Sequence, residues 1–143
     1  FQGLPHRMQH VAARDGVQWY NDSKGTTVRA TLSAIEGVDG KVVLIAGGDG
    51  KGADFSPLAG ALQGRGRGAV LLGRDAQRMA AVLQDVLPVE FAGAMPEAVR
   101  LAGAMAQPGD CVLLSPACAS TDMYRDFVER GEVYMLAVRE YLQ

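Results

Sequence analysis

Two lysines and several hydroxyl groups lie in segments built to hold them still. The loop Gly47-Gly48-Asp49-Gly50-Lys51-Gly52-Ala53-Asp54 carries one ammonium on a glycine-rich turn. The segment Asn21-Asp22-Ser23-Lys24-Gly25-Thr26 carries an acid, a base and two hydroxyls within six residues. A lysine fixed in a turn is a point charge suited to a carboxylate or a phosphate. Lysine is also scarce: Lys24, Lys41 and Lys51 are the only three among 14 basic residues, and two of them fall in these segments. A third segment, Ser115-Pro116-Ala117-Cys118-Ala119-Ser120, offers hydroxyls and a thiol. It contains no G-x-S-x-G elbow, and with only His6 and His10 in the chain it has no evident general base, so nucleophilic catalysis is not its reading.

The glycine loop invites two phosphate-binding patterns. A P-loop needs G-x-x-x-x-G-K followed by Ser or Thr. Here Gly52 follows Lys51 and Ile45 stands where the first glycine belongs, so that pattern fails. The dinucleotide fingerprint fits better, because Gly48-x-Gly50-x-x-Ala53 follows an apolar run and Asp75 is placed to hold a ribose hydroxyl. Against it stand the negative charge of Asp49 and the late helix start implied by Phe55-Ser56-Pro57. The plain alternative is a glycine turn with a solvated lysine. For Asn21 to Thr26 the plain alternative is helix capping by Ser23 or Thr26, which is compatible with anion binding at a helix N-terminus.

These segments need a scaffold. Met8 to Ala13, a turn at Asp15-Gly16, and Val17 to Tyr20 read as a hairpin. From Thr26 or Thr27 the apolar spacing of Val28, Leu32 and Ile35 predicts a helix that stops at Gly37. The runs Val42 to Ala46, Ala69 to Leu72 and Cys111 to Leu114, with a shorter one at Pro88 to Phe91, read as buried parallel strands. Helices are expected at Ser56 to Leu62, Asp75 to Val86, Pro96 to Met105 and from Asp122 or later to Leu142. Alternating strand and helix implies an α/β fold with a mostly parallel, doubly wound sheet of about six strands and the hairpin at an edge. Ligands in such sheets bind beyond the carboxyl ends of the strands, where the unusual loops fall. Gly64-Arg65-Gly66-Arg67-Gly68 reads as a solvated loop, and Met79 and Met105 as core.

Composition narrows the function. With 143 residues, 48% apolar and 21% charged, this is one ordinary domain, residues 1–143. A net charge of −2 argues against a nucleic-acid or anionic-membrane partner, and no apolar run approaches a membrane span. Cys111 and Cys118 have neither redox nor zinc spacing and are expected to be reduced thiols, which fits a cytoplasmic setting. The chain starts at Phe1 rather than Met, and Phe1-Gln2-Gly3 is read as native sequence running into Leu4 rather than as the tail of a tag.

Taken in order, the motifs are more specific than any one of them. Gly3-Leu4-Pro5-His6-Arg7, Asn21 to Thr26, Gly47 to Phe55, Leu114 to Asp122, and Phe127-x-Glu129-Arg130-Gly131 closely resemble the C-terminal domain of the Mur ligases, over essentially the whole chain. Within the family the resemblance is to the members that add D-glutamate.

That resemblance implies a Rossmann-like fold and a cytoplasmic three-domain enzyme of peptidoglycan synthesis, whose N-terminal and central ATPase domains lie outside this chain. It implies ATP as cosubstrate, Mg2+ held mainly by the central domain, and an acyl phosphate made from UDP-N-acetylmuramoyl-L-alanine. By resemblance Arg7, Asp22 and Lys24 face the nucleotide: Arg7 near the phosphates, Asp22 accepting from the ribose, and Lys24 adding charge. Thr26, Lys51, Ser120 and Phe127 hold D-glutamate, and Lys24 and Lys51 are the catalytic candidates. No metal ligands are assigned to this chain, and the isolated chain is expected to be inactive. Gly25 and Thr121 are positions where the resemblance allows variation. A stand-alone nucleotide or dinucleotide-binding module is the alternative.

Overall fold

The computed structural model describes residues 4–143, so Gly3 and the question of the first three residues lie outside it. The chain runs β1 (Gln9–Arg14), β2 (Val17–Asn21), α1 (Val28–Glu36), β3 (Val42–Gly47), α2 (Ser56–Leu62), β4 (Gly66–Leu72), α3 (Ala76–Leu83), β5 (Val89–Phe91), α4 (Met95–Met105), β6 (Cys111–Leu114) and α5 (Phe127–Tyr141). The six strands form one sheet in the order β1-β2-β6-β3-β4-β5. Only the β1–β2 pair is antiparallel, and it sits at the edge as the hairpin reading requires.

Period-two alternation divides the core. Val42, Leu44 and Ala46 face one layer, where they meet Ile35, Leu58, Leu62, Met79 and Leu83 from α1, α2 and α3. Val43 and Ile45 face the other, against Val99, Ala102, Tyr134 and Val138 from α4 and α5. Burial on both sides explains why β3 is apolar at every position, since each large aliphatic side chain removed from water contributes about 1.5 to 3 kcal/mol. Met79 is fully buried and Met105 packs at the edge of the second layer.

Two local readings need correction. Gly66 to Gly68 is the start of β4 rather than loop. Arg65 donates to the carbonyls of Val38 and Gly40, and Arg67 pairs with buried Asp110 at 2.9 Å. Both side chains therefore serve the fold rather than a polyanion. The cap of α1 is Thr27, whose Oγ1 accepts from Ala30 N, so neither Ser23 nor Thr26 performs that role. Ser23 is drawn inward by partners far along the chain. The last helix begins at Phe127, inside the expected range, with Asp126 as its cap.

Candidate functional site

Strands β2, β6 and β3 are neighbours, and their carboxyl ends release the three motif segments side by side. Backbone hydrogen bonds then fasten the segments together. Asp22 N donates to Leu114 O at 2.7 Å and Ala117 N to Gly25 O at 2.8 Å. Asp49 and Ala119 exchange a pair of bonds at 3.0 and 2.8 Å, and Lys24 N donates to His6 O at 2.9 Å. The backbone is strained here: His6, Met8, Lys51 and Ala117 all hold φ between 46° and 61°. Left-handed non-glycine residues persist only where their surroundings over-determine them, and they gather at functional sites.

Two pockets flank the Lys24–Thr26 turn. The first, about 290 Å³, is lined by Arg7, Asp22 and Lys24 together with Gly25, Ala30 and Ser33. Arg7 and Lys24 are exposed, so their charges are available to an anion. Asp22 is buried: its Oδ2 accepts from Ser115 Oγ at 2.7 Å and its Oδ1 from Met8 N at 3.1 Å. Burial raises its pKa, opposed by those two bonds and by the Arg7 charge. Each carboxylate oxygen keeps a lone pair for a further donor. A Cβ on Gly25 would lie 2.5 Å from Ser115 Oγ and 2.7 Å from Asp22 Oδ2, so a side chain there requires this pair to shift.

The second pocket, about 230 Å³, is lined by Thr26, Thr27, Val28, Lys51, Ala117 and Ala119, and also by Asp49 and Asp54. It therefore opens on the N-terminus of α1, a nine-residue helix with no acidic residue in its first turn, where free amides favour an anion. Both acids are engaged by neighbours. Asp49 accepts from Lys51 N at 3.0 Å and pairs with Arg74 at 3.3 Å, and Asp54 accepts from Ser56 N. The Lys51 ammonium makes no ion pair among the described residues.

Ser120 and Phe127 stand apart from Lys51 in instructive ways. Ser120 follows Ala119, so it is at the same junction, but it is only 4% exposed and lines a small inner void with Gly48, Asp122 and Arg130. Phe127 lies on the side of the first pocket, with its ring 5.9 Å from Lys24 Nζ and its carbonyl accepting from Ser23 Oγ at 2.7 Å. One lone pair of that carbonyl is thus already taken by Ser23.

Several partners escaped sequence reasoning. Ser115 Oγ lies within reach of both Asp22 and Thr31 Oγ1, and Thr31 Oγ1 donates to Ser115 O, which binds α1 to the Asp22 turn. Asn21 accepts from Ser23 N and donates to His6 Nδ1 at 2.9 Å, which places the imidazole proton on Nε2. Buried Arg130 donates to Ser23 and to Cys118 O. An arginine at an apolar position of a helix was the available signal. The dinucleotide reading loses its footing here: Gly50 N donates to Asp75 Oδ2 at 2.7 Å, so that amide and that carboxylate satisfy each other instead of a pyrophosphate and a ribose.

An α/β domain whose parallel-strand loops enclose two adjacent anion-ready pockets is the class these features define. The family profile described as "Mur ligase, glutamate ligase domain" matches residues 6–118. UDP-N-acetylmuramoylalanine--D-glutamate ligase of Nitrosococcus oceani is 58% identical over 99% of this chain and 32% of its own length. The protein of the same name from Aromatoleum aromaticum is 56% identical over 97% of this chain and 30% of its own. In three dimensions, UDP-N-acetylmuramate-alanine ligase MurC of Thermotoga maritima superposes with a TM-score of 0.64 over 99% of this chain and 31% of its own, at 14% identity, which shows a shared fold. The chain belongs to the Mur ligase family, in its glutamate ligase domain. It spans about a third of the length of the relatives it matches. No helix among the described residues is long and apolar enough to cross a membrane.

Proposed function

We propose that this chain is the amino-acid-binding domain, residues 1–143, of a cytoplasmic ATP-dependent ligase that adds D-glutamate to UDP-N-acetylmuramoyl-L-alanine. The relatives at 56–58% identity carry that activity in their names, and the paired pockets on either side of Lys24–Thr26 are the observation that carries the reading. A carboxylate does not condense with an amine in water. ATP converts it to an acyl phosphate, the amine of D-glutamate attacks the carbonyl carbon, and the C–O bond breaks as inorganic phosphate leaves. Catalysis of this kind is positioning together with charge stabilisation.

In this reading Arg7 and Lys24 face the nucleotide phosphates and Asp22 accepts from the ribose. Lys51, Thr26 and the first amides of α1 hold a carboxylate of D-glutamate. Ser120, buried next to Ala119, and Phe127, beside Lys24, complete the hold on D-glutamate. In this reading Mg2+ accompanies ATP and is held mainly by the central domain, outside this chain.

The test is phosphate release by the full-length protein with ATP and UDP-N-acetylmuramoyl-L-alanine, supplied with D-glutamate, L-glutamate, L-alanine or L-lysine in turn. Release that depends on D-glutamate supports the reading. Release driven by another amino acid, or by none, overturns it.

A further inference from the structure

We infer that Arg130 is a positioning residue that couples the two pockets, holding the Lys24 turn and the Cys118–Ser120 loop at a fixed separation; this rests on the ligase reading above. The side chain is 2% exposed, and its guanidinium reaches two segments far apart in the chain. Its Nε donates to Ser23 Oγ at 2.9 Å and its terminal nitrogens to Ser23 O at 2.6 Å and Cys118 O at 3.0 Å. Ser23, fully buried, donates its own hydroxyl hydrogen bond to Phe127 O at 2.7 Å, closing the linkage onto the first residue of α5.

Three features say that this is more than filling. First, Ser23 stands between Asp22 and Lys24 of one pocket, and Cys118 between Ala117 and Ala119 of the other, so one rigid fork grips the chain between lining residues of each. Second, Ala117 is held at φ 61°, a conformation that needs external support, and the Arg130 bond to the next carbonyl, Cys118 O, adds to the bond that Ala117 N makes to Gly25 O at 2.8 Å. Third, all three bonds go to neutral acceptors and Arg130 has no ion-pair partner among the described residues, so a buried cation is retained although burial lowers its pKa to about 10. The planar fork with several fixed donors is what distinguishes arginine from lysine in such a place. A lysine keeps the charge but cannot span both segments.

The experiment uses the full-length protein with Arg130→Lys, Ser23→Ala and, as a control on the same helix, Tyr134→Phe. Wild type is assayed first for D-glutamate-dependent phosphate release, and its failure there would condemn the ligase reading rather than this one. KM for ATP and KM for D-glutamate are then measured beside thermal melting. The expected result is that Arg130→Lys raises both KM values at least fivefold and Ser23→Ala both at least threefold, while Tyr134→Phe leaves both within twofold. Variants that melt lower but keep both KM values would reduce Arg130 to a structural prop, and a rise in only one KM would confine it to a single pocket; either overturns the coupling. Should Arg130→Lys fail to fold, Ser23→Ala, which removes one hydroxyl, decides alone.

Discussion

Lys51 links a strained backbone to an unpaired charge, and replacing it by glycine should move stability and function in opposite directions. Its φ is 51°, in the left-handed region that costs an L-residue about 1 to 2 kcal/mol. Glycine removes that cost but gains about 0.4 to 1 kcal/mol of unfolded-state entropy. The side chain is exposed and unpaired among the described residues, so no packing is lost. The balance is a gain of about 0.5 kcal/mol, which for a chain of this length raises Tm by about 2 °C. Function should fall instead. Loss of a charge-assisted hydrogen bond to a carboxylate removes about 1.5 to 3 kcal/mol, so KM for D-glutamate in the full-length protein should rise about ten- to 150-fold. Melting of the 143-residue chain and steady-state phosphate release read the two effects. A KM within twofold of wild type would remove Lys51 from the ligand site, and a lower Tm would refute the strain argument.

Three further outcomes follow from buried groups. Burial holds the Asp22 carboxyl above its ordinary pKa, so the folded chain takes up that proton first and stability falls as pH rises through the window. Asp22→Asn escapes this, because Ser115 Oγ can turn its proton to Thr31 Oγ1 at 3.0 Å; its Tm advantage over wild type should grow from pH 3 to pH 7 while ATP binding weakens, and a constant difference would count against the assignment. Among the described residues the buried Tyr134 hydroxyl has no partner, so Tyr134→Phe should raise stability by about 1 kcal/mol in a denaturant titration, and a loss would show that a water or polar partner serves it. Burial pushes both Cys111 and Cys118 up to about 12, so a thiol reagent at pH 8 should label neither in the native chain and both in urea.

The scaffold was legible because its determinants are local. Continuous apolar runs such as Val42 to Ala46 are strands buried on both faces, and Thr-rich and Pro-rich punctuation marks the helix starts at Val28 and Met95. The segments that meet at the rim were legible as loops between such runs. What could not be read was which polar atom takes which partner. Capping by Thr27 instead of Ser23 or Thr26 depends on Ser23 being claimed by Arg130 and Phe127, more than a hundred residues away. Arg67 and Gly66 looked like loop because glycine and charge outweigh the pairing signal, which comes from β3 and Asp110. Asp75 looked available for a ribose until the Gly50 amide took it.

The ligand pocket itself can be interrogated by crystallising the full-length protein with D-glutamate. A carboxylate about 3 Å from Lys51 Nζ, with Thr26 and the first amides of α1 around it, is the arrangement expected here. D-Glutamate bound with Lys51 pointing away into solvent would contradict it.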